Sequence, residues 1–236
     1  MLFLLKNHLF FIVLLFFSTY PLINSHNVYG QVKIENFLLF RQGSLMGIEI
    51  SLSSLPIKIT LNQHNKILWL KYNLPKGGML RISPNGDLFL ENWLASKNNI
   101  LKFDDKNRLS RIGSTKISYL SNGKLNKINK ILFQYDSLGK IKKIKNVAFH
   151  YRMDNSLKDI GSLSLKYEIT NRLRKAGKYI IHYQLNGRIQ SIGKLHFHYH
   201  LTKNYILKTT GYENNIKIIL FWDIKALWRK LQIKSH

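Results

Sequence analysis

The sequence predicts an all-β protein. Its larger part reads as an antiparallel meander of 16-residue hairpin repeats, a twisted or curled sheet, followed by a short C-terminal amphipathic helix. The first observation is register: Leu109, Leu125, Ile141, Leu157, Leu173 and Ile189 are sixteen apart, and so are Tyr119, Tyr135, Tyr151, Tyr167, Tyr183 and Tyr199. A third column, Ile112, Ile128, Ile144, Ile160, Ala176 and Ile192, keeps the same period without insertion, and a fixed period is the mark of a repeat architecture. The second observation is alternation: Val147, Phe149 and Tyr151 fall on one face of a strand, Ala148 and His150 on the other. The third is turn chemistry. Pairs such as Gly113-Ser114, Asn129-Lys130 and Gly193-Lys194 separate the two halves of each unit, and Gly or Asn at the first position tolerates the positive φ of a two-residue hairpin.

The N-terminus, 1–30, reads as a signal peptide. Lys6 and His8 precede an apolar run from Leu9 to Phe17, too short for a hydrocarbon core that needs about 20 residues and suited to an h-region. Cleavage is expected after Ser25 or Gly30; the alternative is an uncleaved anchor. Residues 31–100 lack the sixteen-residue register but carry strand-like stretches, "GIEISLSSLPIKITL", "KILWLKY" and "DLFLENW", with turn signals at Gly77-Gly78 and Pro84-Asn85-Gly86. They predict further antiparallel sheet, continuous with the array or packed on it.

The array is expected over 101–223, with Phe103 closing a leading half unit and "LFWD" at 220–223 as a displaced last strand. Leu109 and Ile112 are three apart, so a regular strand would send them to opposite faces; a bulge in every unit would return both to the core, and the alternative is that both faces are partly covered. Connections such as "DSLG" at 136–139 and "LNG" at 185–187 suggest consecutive hairpins. A parallel β-solenoid with one coil per repeat is the competing arrangement. Beyond the array, 224–236 places Ile224, Leu227, Trp228 and Leu231 at helical spacing with basic residues between them. That helix would cover an open sheet end, or else lie on a membrane surface.

Composition narrows the function. The net charge is +25, from 37 basic against 12 acidic residues, which implies attraction to something anionic. There is no cysteine, so the chain has neither disulfides nor thiolate ligands. Two basic columns keep the repeat register: Arg108, Lys124, Lys140, Arg172 and Arg188, with Ser156 as the gap, and Arg111, Lys127, Lys143 and Lys175. Repeating positive charge along a sheet suits a repeating polyanion such as an acidic glycan or lipopolysaccharide; the plain alternative is a solvated face whose lysines discourage edge association.

"FQYDSLGKI" at 133–141 and, more weakly, "KFDDKNRL" at 102–109 resemble the YD (Rhs-type) repeat, in which an aromatic-Asp step leads into Gly-basic-aliphatic. The array also resembles uncharacterised secreted bacterial proteins built of short "GRL-x-x-IG…Y" units. The resemblance implies hairpin-based β-sheet at or outside the cell envelope and carries no catalytic residues. His196, His198 and His200 share one strand face at roughly 6.6–7 Å intervals and form the candidate metal cluster, with His182 and His150 in the column of His198. No nucleophile elbow, phosphate loop or metalloprotease helix is present, so no catalytic residue and no cofactor is assigned. The expected function is an exported, non-enzymatic scaffold or binding surface in the periplasm, on the cell surface or secreted. Its expected partner is an anionic envelope polymer or membrane surface, and no specific nucleic acid is expected. The alternative is a metal-binding module or enzyme using the histidine cluster.

Overall fold

A computed structural model describes residues 32–91, 100–203, 205–213 and 217–221. The signal segment and the C-terminal helix expected over 224–236 lie outside the described residues. Every regular element among the described residues is a strand.

The N-terminal strands are β1 (Val32–Phe40), β2 (Leu45–Leu52), β3 (Ile57–Asn62), β4 (Ile67–Asn73), β5 (Met79–Ile82) and β6 (Leu88–Glu91). Each pairs antiparallel with the next. Their apolar face is built by direct cross-strand partners: Ile48 opposes Leu61, Ile50 opposes Ile59, and Leu52 opposes Ile57. Leu70 then bridges Ile59 to Ile82. All of these are buried. Cross-strand apolar pairs stabilise a sheet locally, and alternation puts them on one face.

The repeat region forms a second sheet of 14 strands in strict sequence order. It begins with β7 (Leu101–Phe103), β8 (Leu109–Ile112), β9 (Thr115–Tyr119), β10 (Leu125–Ile128) and β11 (Ile131–Tyr135). It continues through β12 (Ile141–Ile144), β13 (Val147–Tyr151), β14 (Leu157–Ile160), β15 (Leu163–Tyr167) and β16 (Leu173–Ala176). It ends with β17 (Tyr179–Tyr183), β18 (Ile189–Ile192), β19 (Leu195–Tyr199) and β20 (Ile206–Thr210). Every pairing in it is antiparallel, which settles the meander against the parallel solenoid.

The expected bulge is present in each unit. Gln134 faces Lys143 while Tyr135 faces Ile141, leaving Lys142 as the extra residue. The same step recurs at Tyr151, Tyr167 and Tyr183. It lets Ile141 and Ile144 both be fully buried although three residues apart.

Two turn types alternate. The tight turns have positive φ at Gly113, Asn129, Lys145, Gly161, Gly177 and Gly193, all between 51° and 56°. The wide turns have positive φ at Asn107, Gly123, Gly139, Asn155, Asn171 and Gly187.

One expectation is corrected. The strand at the C-terminal end of the described residues, β21 (Lys217–Phe221), does not extend the array. It pairs parallel with β1, Leu38 opposite Ile219, and makes the N-terminal sheet seven-stranded. The array instead ends at β20, where Tyr199 pairs with Ile206 rather than with residue 205. That one-residue slip breaks the period. Addition to β1 covers an edge that would otherwise be open.

The two sheets share one core cluster. Phe37 of β1 meets Tyr179 of β17 edge to face, with ring centroids 5.8 Å apart. The hairpin turns of the first sheet also dock on the second through backbone hydrogen bonds. Leu125 N–H donates to the Gly86 carbonyl at 3.1 Å, Leu157 N–H to Asn65 at 3.0 Å, and Ile189 N–H to Gly43 at 2.8 Å.

Candidate functional site

The first basic column and the tyrosine column prove to be one structural device. Each tyrosine hydroxyl donates to the carbonyl ten residues earlier: Tyr119 to Leu109 at 2.9 Å, Tyr135 to Leu125 at 2.8 Å, Tyr151 to Ile141 at 2.7 Å and Tyr183 to Leu173 at 2.8 Å. Tyr167 and Tyr199 do the same with Leu157 and Ile189. The carbonyl belongs to the residue that faces the aromatic residue of the preceding unit at the bulge, as Ile141 faces Tyr135, and the hydroxyl supplies a donor to it.

Over each of these rings lies a cation. Arg108 covers Tyr119 at 4.4 Å, Lys124 covers Tyr135 at 5.2 Å, and Lys140 covers Tyr151 at 4.8 Å. Arg172 covers Tyr183 at 4.7 Å and Arg188 covers Tyr199 at 5.2 Å. In the unit where Ser156 interrupts the column, Arg152 lies over Tyr167 at 4.5 Å instead. Four of the cations are also paired within their own turn: Arg108 with Asp104 at 2.6 Å, Lys140 with Asp136 at 3.7 Å, Arg152 with Asp154 at 3.4 Å, and Arg172 with Glu168 at 2.8 Å. Burial raises the pKa of all six tyrosines, and Tyr199 is pushed up to about 12. The first column therefore faces its own fold.

The second column has different surroundings. Arg111, Lys127, Lys143 and Lys175 lie on the polar face of the array, and none of them has an ion-pair partner among the described residues. The concentration is highest at the start of the array. Lys102, Arg111 and Lys116 stand in direct register on three successive strands, β7, β8 and β9. Lys127 follows on β10, opposite Ser118. With Ser110, Ser118 and Asn129 they line an open groove of about 540 Å³ that contains no carboxylate. Arg111 Nε is buried without a hydrogen-bond partner. Asn129 at the groove wall is held in place, its Oδ1 accepting from the Lys116 N–H at 2.8 Å.

No protein-family model matches this chain, and no curated protein matches it.

The histidine cluster is not assembled as a metal site. Among the described residues no group of three or more His, Asp or Glu side chains is placed to hold an ion. The reason is local. His198 Nε2 lies 2.8 Å from Thr210 Oγ1 across the β19–β20 pair. The His200 ring packs on Tyr205 at 5.2 Å, and its Nδ1 accepts from the Lys203 N–H at 3.1 Å. His196 is exposed opposite Thr210. The sixteen-residue period groups the basic residues by column but does not separate the column facing tyrosine from the column facing solvent. It also misses Lys102 and Lys116. Their signal is cross-strand register, which a sixteen-residue period does not reveal for a leading half unit.

Proposed function

We propose that this chain is an exported, non-enzymatic β-repeat protein of the cell envelope that binds an anionic polymer in the groove of Lys102, Arg111, Lys116 and Lys127. The observation that carries the proposal is the register of three cations on adjacent strands with no carboxylate in the groove. Like charges directly opposite one another destabilise a sheet, and an incoming anion relieves that repulsion. The serine hydroxyls and the unpartnered Arg111 Nε offer neutral and charge-assisted donors to its oxygens. Lys143 continues the positive potential along the same face as far as Asp159, which takes the next position of the column before Lys175. Export rests on the N-terminal charge and apolar pattern, and the YD-like units agree with an envelope setting.

The test is titration of the purified chain with fluorescent dextran sulfate at about 50 mM and about 300 mM salt. Release of counterions on binding predicts a fall in affinity of at least about tenfold over that range. Salt-insensitive binding, or none at the lower salt, contradicts the proposal.

A further inference from the structure

The wide turns of the array carry a second periodic feature. Met153, Ile169, Leu185 and Leu201 are sixteen apart, and each is fully exposed, at 105%, 103%, 109% and 101% of the reference area. The same turn position holds Asp105, Ser121 and Ser137 in the three preceding units. At this position the apolar tips are confined to the last four wide turns, and the turn before them exposes Leu138 one position later. They project from closed loops: Arg152 N–H donates to Ser156 O at 2.8 Å, Glu168 N–H to Arg172 O at 2.9 Å, and Gln184 N–H to Arg188 O at 2.8 Å. Successive hairpins advance by two strand spacings, roughly 9.5 Å. The four tips thus form a row at most roughly 28 Å long on one edge of the sheet.

Set back from the tips is a belt of positive charge. The same turns contribute Arg152, Arg172, Arg188 and Lys203. From the first sheet, Arg41 packs on Tyr205 at 4.1 Å and Lys66 lies close enough to Asp154 to lower its pKa. Asp154 pairs with Arg152 at 3.4 Å and Glu168 with Arg172 at 2.8 Å and offset their charge, so the net positive charge of these turns comes from Arg188 and Lys203. The geometry points to an anionic lipid bilayer as the partner of this edge, with the four tips entering the acyl boundary and the cations at headgroup level. Apolar side chains projecting beyond a cationic belt match that interface in both polarity and charge. A protein partner needs a continuous patch of about 800 Å² per side, whereas these tips are set apart by polar turn residues such as Asn155, Thr170, Asn171 and Asn186. A fluid bilayer takes up separate tips one by one. The inference is independent of the groove, which lies beside the tight turns at the opposite end of the array.

The cysteine-free chain permits a site-specific test. L185C carrying an NBD fluorophore is mixed with phosphatidylcholine vesicles with and without phosphatidylglycerol, beside S121C-NBD at the equivalent turn position of a polar unit. A blue-shifted, brightened emission for L185C with the anionic vesicles alone, and none for S121C, is the expected result. M153S/I169S/L185S/L201S should lower the vesicle partition coefficient by at least about tenfold while retaining the thermal midpoint and the dextran sulfate affinity. K102S/R111S/K127S should still bind vesicles. An unshifted L185C signal, or unchanged vesicle binding by the four-tip variant, overturns the inference. Concentration-dependent self-association that the four-tip variant abolishes also overturns it, and assigns the row to a second copy of the chain.

Discussion

At the scale of single residues, the tyrosine column joins three requirements in one side chain: an apolar ring for the core, a hydroxyl for the carbonyl at the preceding unit's bulge, and a π-face for a cation. A cation–π contact at a half-exposed site contributes about 0.5–1 kcal/mol, and six of them recur. Both columns were visible in the sequence, but their union was not, because the cation and its ring are eleven residues apart and meet only across a hairpin. Arg152 shows why: it fills the Ser156 gap from a position that belongs to neither column. A pH prediction follows from the raised tyrosine pKa values. The fold favours the neutral phenol, so its stabilisation is intact below the unfolded tyrosine pKa of about 10 and is lost as pH rises above it. Tyr199, at about 12, marks where its own share is gone. Chemical denaturation between about pH 9 and pH 12 should show stability falling steeply from about pH 10. Y151F should flatten that fall while costing about 1–3 kcal/mol at neutral pH, since the Ile141 carbonyl loses its donor.

At the scale of elements, the bulge and the two turn types were legible from spacing alone. A three-residue interval between buried aliphatics allows few backbone solutions, and the structure uses the bulge. The tight turn at Lys145-Asn146 is the informative exception. Lys145 holds a φ of 51°, as Gly and Asn do in the other units, and a side chain with a Cβ is disfavoured there. K145G should therefore stabilise the chain by about 0.5–1 kcal/mol, read as a higher denaturant midpoint with an unchanged slope. The destination of β21 was not legible. "LFWD" has the composition of any buried strand, and its parallel partner β1 lies nearly two hundred residues earlier, where no local pattern could point.

At the scale of the whole molecule, the two sheets are matched in a way that neither sequence region displays by itself. The docking turns of the first sheet, at Gly43, Asn65 and Gly86, are one hairpin apart, roughly 9.5 Å. The N–H groups that donate to them, at Ile189, Leu157 and Leu125, are two repeats apart. Four strands of a flat sheet would cover roughly 19 Å, so the array must curl to bring these sites to the first sheet. Gly43 and Gly86 leave room for the rings of Tyr199 and Tyr135, which a Cβ would strike. The first sheet thus fixes the curvature of the second through alternate repeats. The two basic columns of the array divide accordingly: one lies over tyrosine rings, and the other has no ion-pair partner among the described residues.

That division is the central claim, and a comparison of two triple variants tests it most directly. K124S/R172S/R188S removes cations over tyrosine rings; K102S/R111S/K127S removes groove cations and the same formal charge. Each is measured for thermal midpoint and for dextran sulfate affinity at low salt. The account predicts that the first variant melts lower and keeps most of its affinity, while the second keeps its midpoint and loses affinity by at least about tenfold. Equal losses of affinity in both variants, with unchanged midpoints, would contradict it and reduce the charge to a uniform property of the surface.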